Sequence, residues 1–228
     1  MYKKVLSAIN EHLNSEISAR YALNLAKVSG AKFYLCFIAE KKLPQSDFER
    51  AEEAMKRLFL EAEEMNVQVE SITVTGDTVR EIEKIVRHEG INIVFTATRR
   101  EDIRRKFYVG TVARSLSLYL PCSVALVRVV HMGKIHPHKI LVPIKSKINH
   151  LRERSYFTAK MAEIFSSKVF VFHTTKPLTK FFHGEIHLTP AQWEKRLPKS
   201  ISDFIEHLKK YNIELEGKFV SGSTARNV

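Results

Sequence analysis

The stretch Lys3-Lys4-Val5-Leu6-Ser7-Ala8-Ile9-Asn10 decides the reading, because the chain carries it twice. His138-Lys139-Ile140-Leu141-Val142-Pro143-Ile144-Lys145 lies over it at an offset of about 135 residues. Each copy is a basic start followed by an apolar run, which predicts a strand buried on both faces. A helical segment follows each. In Asn14 to Gly30, Ile17, Tyr21, Leu25 and Val28 fall on one face. Its counterpart, Asn149 to Ser166, sets Phe157 over Tyr21 and Ala162 over Ala26. Strands are predicted next at Phe33 to Ile38 and Val169 to His173.

The repeat continues. Phe48, Ala51, Met55, Leu58, Phe59, Ala62 and Met65 predict a second helix. In the second copy Thr189-Pro190-Ala191-Gln192 reads as a helix start, and Ile201, Phe204, Ile205 and Leu208 carry the apolar stripe. Third strands are predicted at Asn66 to Val74 and Asn212 to Val220. Both alternate and both end in a similar turn, Thr75-Gly76-Asp77-Thr78 and Ser221-Gly222-Ser223-Thr224.

Only the first copy goes further. Thr78-Val79-Arg80-Glu81 reads as a capping box, with Ile82, Ile85 and Val86 as a helix face. Ile91 to Phe95 predicts a fourth strand. Gly110-Thr111 opens a fourth helix through Leu116 and Leu120, and Ser123 to Val130 predicts a fifth strand. The first copy is thus β-α-β-α-β-α-β-α-β, a doubly wound parallel pattern. The second is β-α-β-α-β: Val228 aligns with Ile82, so counterparts of residues 83–130 are absent. The expected organisation is a complete domain at residues 1–130, a linker at 131–137 and an incomplete copy at 138–228. An incomplete copy leaves the edge of its first strand uncovered.

Composition bounds the function. The 228 residues are 44% hydrophobic and 27% charged, with 8 Gly and 7 Pro, which excludes disordered and collagen-like classes. No apolar run approaches a membrane span, and MYKKVLSAIN lacks a signal peptide's apolar core. Cys36 and Cys122 both sit in apolar segments, so a reducing cytoplasm and core packing are expected rather than a disulfide. The net charge of +12 is uneven: residues 1–130 contribute +3 and residues 131–228 contribute +9. Such a chain attracts anions.

The order of these segments resembles the universal stress protein family in its tandem arrangement. The resemblance rests on KKVLSAIN, on Asn14-Ser15-Glu16 through Ala26, on Gly76-Asp77, on Gly110-Thr111-Val112-Ala113 and on Leu120-Pro121-Cys122-Ser123-Val124. It implies a five-stranded sheet in the order 3-2-1-4-5, with a ligand crevice where the order reverses between strands 1 and 4. That crevice would be lined by Asn10, Thr96 and Ala97.

The resemblance also implies AMP or ATP, with Mg, in the first domain. Nucleotide-binding members carry a motif of three glycines, and here its positions are Ala97, Arg100 and Gly110. Gly110-Thr111, with Val112 following, offers backbone N–H groups and a hydroxyl to a phosphate. Arg100 can supply a guanidinium. Asn10 replaces the family's Asp and keeps a carbonyl acceptor, and Phe37 falls at an adenine contact. The matching position in the second copy is Lys145, which has no acceptor.

Two readings follow. One is a stress-response regulator that senses nucleotide. The other is a nucleotide-independent module that dimerises through residues 123–130, the last strand. A nucleic-acid binder is a further alternative suggested by the basic second half. The basic loop Arg99 to Lys106 lacks interleaved aromatics, so nucleic acid is not expected there. His183-Gly184-Glu185-Ile186-His187 departs from the zinc-protease spacing, and no metal site is expected. No catalytic triad or Walker loop is present, and ATP hydrolysis, if any, should be slow and incidental.

Overall fold

The structure is a computed structural model that describes residues 1–98, 112–129, 137–175, 179–180, 184–185, 192 and 195–221. It divides into two compact units, Met1–Ile135 and His136–Val228. The expected linker at 131–137 lies almost wholly outside the described residues.

In the first unit the strands are β1 (Lys4–Ile9), β2 (Lys32–Ala39), β3 (Val69–Thr75), β4 (Ile93–Thr98) and β5 (Ser123–Arg128). The helices are α1 (Leu13–Ser29), α2 (Gln45–Glu64), α3 (Thr78–Glu89) and α4 (Val112–Tyr119). All strand pairs are parallel, and the sheet order is β3-β2-β1-β4-β5. The apolar strands are covered on both sides. Leu6, Tyr34, Cys36 and Val94 on one face meet Ile82 and Val86 of α3 and Leu116 of α4. The alternate residues Phe33, Leu35, Phe37 and Phe95 are buried on the other face, where α1 and α2 pack. Glu16 of α1 accepts from the Arg57 guanidinium of α2 at 2.8 Å, and Arg20 bonds Glu61 at 2.9 Å, tying these two helices together.

The second unit holds β6 (Lys139–Pro143), α5 (Leu151–Phe165), β7 (Lys168–Thr175), a short antiparallel hairpin of β8 (Thr179–Lys180) and β9 (Gly184–Glu185), α6 (Lys199–Lys209) and β10 (Leu215–Ser221). Its parallel sheet runs β10-β7-β6, the same order as β3-β2-β1. Local chemistry repeats as well. Lys32 lies 4.8 Å over the Tyr34 ring and bridges Glu70 at 2.6 Å. Lys168 lies 5.5 Å over Phe170 and bridges Glu214 at 2.6 Å and Glu216 at 3.3 Å. Gly30 ends α1 with φ +60°, and Ser166 ends α5 in the same left-handed conformation at φ +49°. Glycine adopts that conformation without a Cβ penalty, and serine does not.

Several element ends differ from expectation. α3 is capped by Asp77, whose Oδ1 accepts from the Arg80 N–H at 2.9 Å. Thr78, the expected cap, instead donates its hydroxyl to Glu40 at 3.1 Å. A carboxylate is a good cap and a stronger acceptor, which leaves the hydroxyl free to reach the next loop. The expected helix start at Thr189–Gln192 lies outside the described residues except for Gln192, and α6 begins at Lys199 after Pro198. The hairpin β8–β9 has no counterpart in the first unit and was not foreseen.

Both cysteines pack with the α3–α4 core. Burial pushes the Cys36 thiol up to about 12 and the Cys122 thiol up to about 11. A thiol reagent at pH 8 should therefore label native protein on the order of 100-fold more slowly than urea-unfolded protein, since the thiolate is the nucleophile. Prompt labelling of either cysteine in the native state would contradict this.

Candidate functional site at the carboxyl edge of the first sheet

Parallel strands deliver all their carboxyl ends to one edge. At that edge β1 and β4 part. Their pairing ends at Ser7 with Phe95. Beyond it β1 stays with β2, through Ile9 and Phe37, while β4 stays with β5 as far as Thr98 and Arg128. The opening between them is the switch point of the sheet.

Asn10 closes β1 and starts a tight loop. Its Oδ1 accepts from the His12 N–H at 3.0 Å. Its own N–H donates to the Ser15 hydroxyl oxygen at 3.1 Å, and that hydroxyl reaches the His12 carbonyl at 2.8 Å. The side-chain carbonyl expected to face a ligand is thus used to hold the loop, as Asn does in an Asx turn. The amide nitrogen has no partner among the described residues. His12 precedes α1 without a side-chain cap, and its carbonyl accepts from the Ser15 N–H of the first turn at 2.9 Å.

Two buried polar atoms at this end lack a hydrogen bond: Asn14 Oδ1, in the first turn of α1, and Thr98 Oγ1, at the end of β4. Buried polar groups are normally paired, and these two, like Ser7 Oγ and Ser18 Oγ of the same unit, find no partner in the protein itself. Thr96 is buried on β4, and Ala97 lies between Thr96 and Thr98, half-buried. Phe37 is 2% exposed, with its ring 5.6 Å from that of Phe48 on α2. Its place is in the core beneath α2, and stacking on a base would require Phe48 to move. Val112 begins α4 and is exposed. Arg100, Gly110 and Thr111, and the basic loop Arg99 to Lys106, lie outside the described residues.

Sequence reading missed Asn14 and Thr98. Each is a common polar residue at an element end, and the signal in hindsight is position: one begins the helix after β1, the other ends β4. In the second unit Lys145 is exposed after β6. His173 takes the place of Phe37 and its Nδ1 lies 2.9 Å from the Ile144 carbonyl. That contact makes Nδ1 the donor. The histidines His183 and His187 lie outside the described residues. Among the described residues no three His, Cys, Asp or Glu side chains gather as a metal site, and no helix is long and apolar enough to cross a membrane.

No curated protein matches the chain by sequence. Solved structures do match its fold. A universal stress protein from Archaeoglobus fulgidus DSM 4304 superposes with a TM-score of 0.64 at 16% identity, over 99% of this chain and 79% of that one. A putative universal stress protein from Pseudomonas aeruginosa UCBPP-PA14 gives 0.63 at 16% identity, over 97% and 75%. A functionally unknown protein from Pseudomonas aeruginosa PAO1 gives 0.63 at 16%, over 97% and 74%. The family model described as the universal stress protein family matches residues 1–128, more than half of the chain. With that match on a sheet of order 3-2-1-4-5, the chain belongs to the universal stress protein family.

Proposed function

We propose that the first unit holds AMP or ATP at the opening between β1 and β4, and that the chain is a stress-response regulator that works by binding. The observation that carries this is the parting of the two strands at the carboxyl edge, where Thr98 at the end of β4 has a buried, unpaired hydroxyl. A ribose hydroxyl can pair with that hydroxyl. The Asn10 amide can donate to a base or sugar acceptor. Gly110-Thr111, followed in sequence by Val112, and Arg100 would meet the phosphates, with Mg as counter-ion for ATP. Thr96 and Ala97 form the β4 wall. The second unit offers Lys145 where the first has Asn10, and it takes no nucleotide in this manner. The chain acts in the cytoplasm and is not an enzyme; any hydrolysis of ATP is incidental.

Calorimetric titration of Mg·ATP and AMP into nucleotide-stripped protein tests this. Micromolar binding is expected, abolished by Gly110→Val and weakened about 5- to 10-fold by Thr98→Val, the effect of losing one hydrogen bond. An absence of heat at millimolar ligand from folded protein rejects the reading.

That rejection would favour a second reading, a nucleotide-independent interaction module. Phe48 over Phe37 and the engaged Asn10 carbonyl support it. So do Leu118 and Tyr119 of α4 and Leu126 of β5, which are exposed. In this reading the partner is a second copy, joined through β5 and the residues after it, 123–130.

A further inference from the structure

We infer that Arg128, at the end of β5, is a phosphate ligand of the first unit and makes its site prefer a nucleoside phosphate to a nucleoside; this rests on the opening between β1 and β4 being a nucleotide site. Register places the residue. β1 and β4 pair as far as Ser7 with Phe95. Three residues further along the two chains come Asn10 and Thr98, which therefore stand at one level of the carboxyl edge. Thr98 is in turn the ladder partner of Arg128, on a strand about 4.8 Å away. β1, β4 and β5 are consecutive in the sheet, so Asn10, Thr98 and Arg128 step in that order across the opening. A nucleotide has the order base, ribose, phosphate. With the base at Asn10 and the ribose at Thr98, the phosphate falls at Arg128.

The face agrees. Val94 belongs to the core under α3 and α4. Thr98 lies four residues on and turns to the same face, and its ladder partner Arg128 turns there with it. α4 runs back over β4 and β5, and its Leu116 packs in the same cluster as Val94. The helix begins at Val112, four residues before Leu116, or about 6 Å along its axis. Thr98 lies about 13 Å past Val94 along the strand. Thr98 and Arg128 thus stand beyond the first residue of α4, off the positive end of its dipole. The helix favours an anion there, and a guanidinium offers it a fork of donors.

The charges of the edge leave Arg128 without a partner. Of the five strand ends, Ile9, Ala39, Thr75, Thr98 and Arg128, the last is the one cation. The carboxylates of the loops at this edge are engaged elsewhere. Glu11 lies 3.0 Å from His12 Nε2, Glu40 accepts the Thr78 hydroxyl at 3.1 Å, and Asp77 caps α3. Arg128 is exposed, and among the described residues it makes no hydrogen bond or ion pair. Beside it the Thr98 side chain is 5% exposed, with its hydroxyl unpaired. A free guanidinium in register with a buried free hydroxyl, off the start of a helix, suits an oxyanion carried on a hydroxylated group. A strand end that only had to be solvated would need none of these neighbours.

Calorimetric titration of AMP and of adenosine into the full chain tests it, because the two ligands differ by one phosphate. The unmodified chain should bind AMP at least about 10-fold more tightly than adenosine. Arg128→Gln should weaken AMP by about 10- to 100-fold, the effect of one charge-assisted contact, and leave adenosine within about twofold. Arg128→Lys keeps the charge and loses the fork, so its AMP affinity should fall between the two. The side chain is exposed, so these variants keep the fold, and circular dichroism checks that they do. If Arg128→Gln binds AMP as the unmodified chain does, the inference is overturned while the nucleotide reading stands. An equal loss of AMP and adenosine reports a disturbed strand end and overturns it as well. If the unmodified chain binds neither ligand, the nucleotide reading itself fails and the phosphate ligand falls with it.

Discussion

Phe95→Ala lowers the unfolding free energy of the first unit by about 3–5 kcal/mol, the upper range for a core truncation. The reason is what surrounds the ring. Phe95 is 1% exposed at the middle of β4. Its ladder neighbours are Ser7 on β1 and Ala125 on β5, both small. The helix packed over β1 and β4 is α1, whose buried face is rich in alanine: Ala19, Ala22 and Ala26. None of these side chains is long enough to collapse into the space that the phenyl leaves, so the cavity term is not relieved. Water entering the hole can bond the unpaired Ser7 hydroxyl, which offsets a small part of the loss. Urea unfolding monitored by circular dichroism reads the change. A loss below about 1 kcal/mol would mean that the sheet and α1 close over the gap. Because β4 forms one wall of the proposed nucleotide opening, the same variant should also weaken nucleotide binding, and a stable variant that binds normally would argue against that placement.

The features legible in the sequence were those carried by long, periodic, buried segments. Leu6, Tyr34, Val94 and Leu116 sit in the core because the strands around them are apolar on both faces, and apolar runs of that kind declare themselves. The repeat was legible for the same reason, since β6 and β7 repeat the basic start and apolar run of β1 and β2. Element ends were less legible. Whether Asp77 or Thr78 caps α3 depends on which side chain reaches the Arg80 N–H, and both are acceptable capping residues. The β8–β9 hairpin pairs two residues with two and has no periodicity to read.

The site was legible only in part. Topology located the opening between β1 and β4, because reversal of strand order fixes it wherever this fold occurs. Which side chains face the opening was a matter of competition that the sequence does not display. Asn10 was expected to offer its carbonyl outward, but a nearer donor, the His12 N–H, has taken it. Phe37 was expected at a base, but Phe48 lies in the helix above and the two rings pack. Asn14 and Thr98 attract notice only because their oxygens are buried without a partner, a property of three dimensions.

Phe204→Ala should have a larger consequence in the second unit than Phe95→Ala has in the first, at a similar local cost of about 3–5 kcal/mol. Phe204 is 1% exposed on α6 and packs with Ala159, Ala162, Val169, Val171 and Leu208. That cluster lies on a single face of a three-stranded sheet, with α5 and α6 as its helices. Leu141, on the other face, is half exposed, where its counterpart Leu6 is wholly covered. A unit of this size buries a smaller share of its surface, and its stability lies towards the low end of the usual range of roughly 5–15 kcal/mol. Losing the phenyl removes most of that margin. The second unit should therefore lose amide protection at 25 °C, while the first, with both faces of its sheet covered, keeps it. Hydrogen exchange followed by peptide mapping separates the two. Phe204→Leu, which retains most of the apolar volume, should restore protection. If amides of β7 stay protected in Phe204→Ala, the second unit draws its stability from more than this cluster.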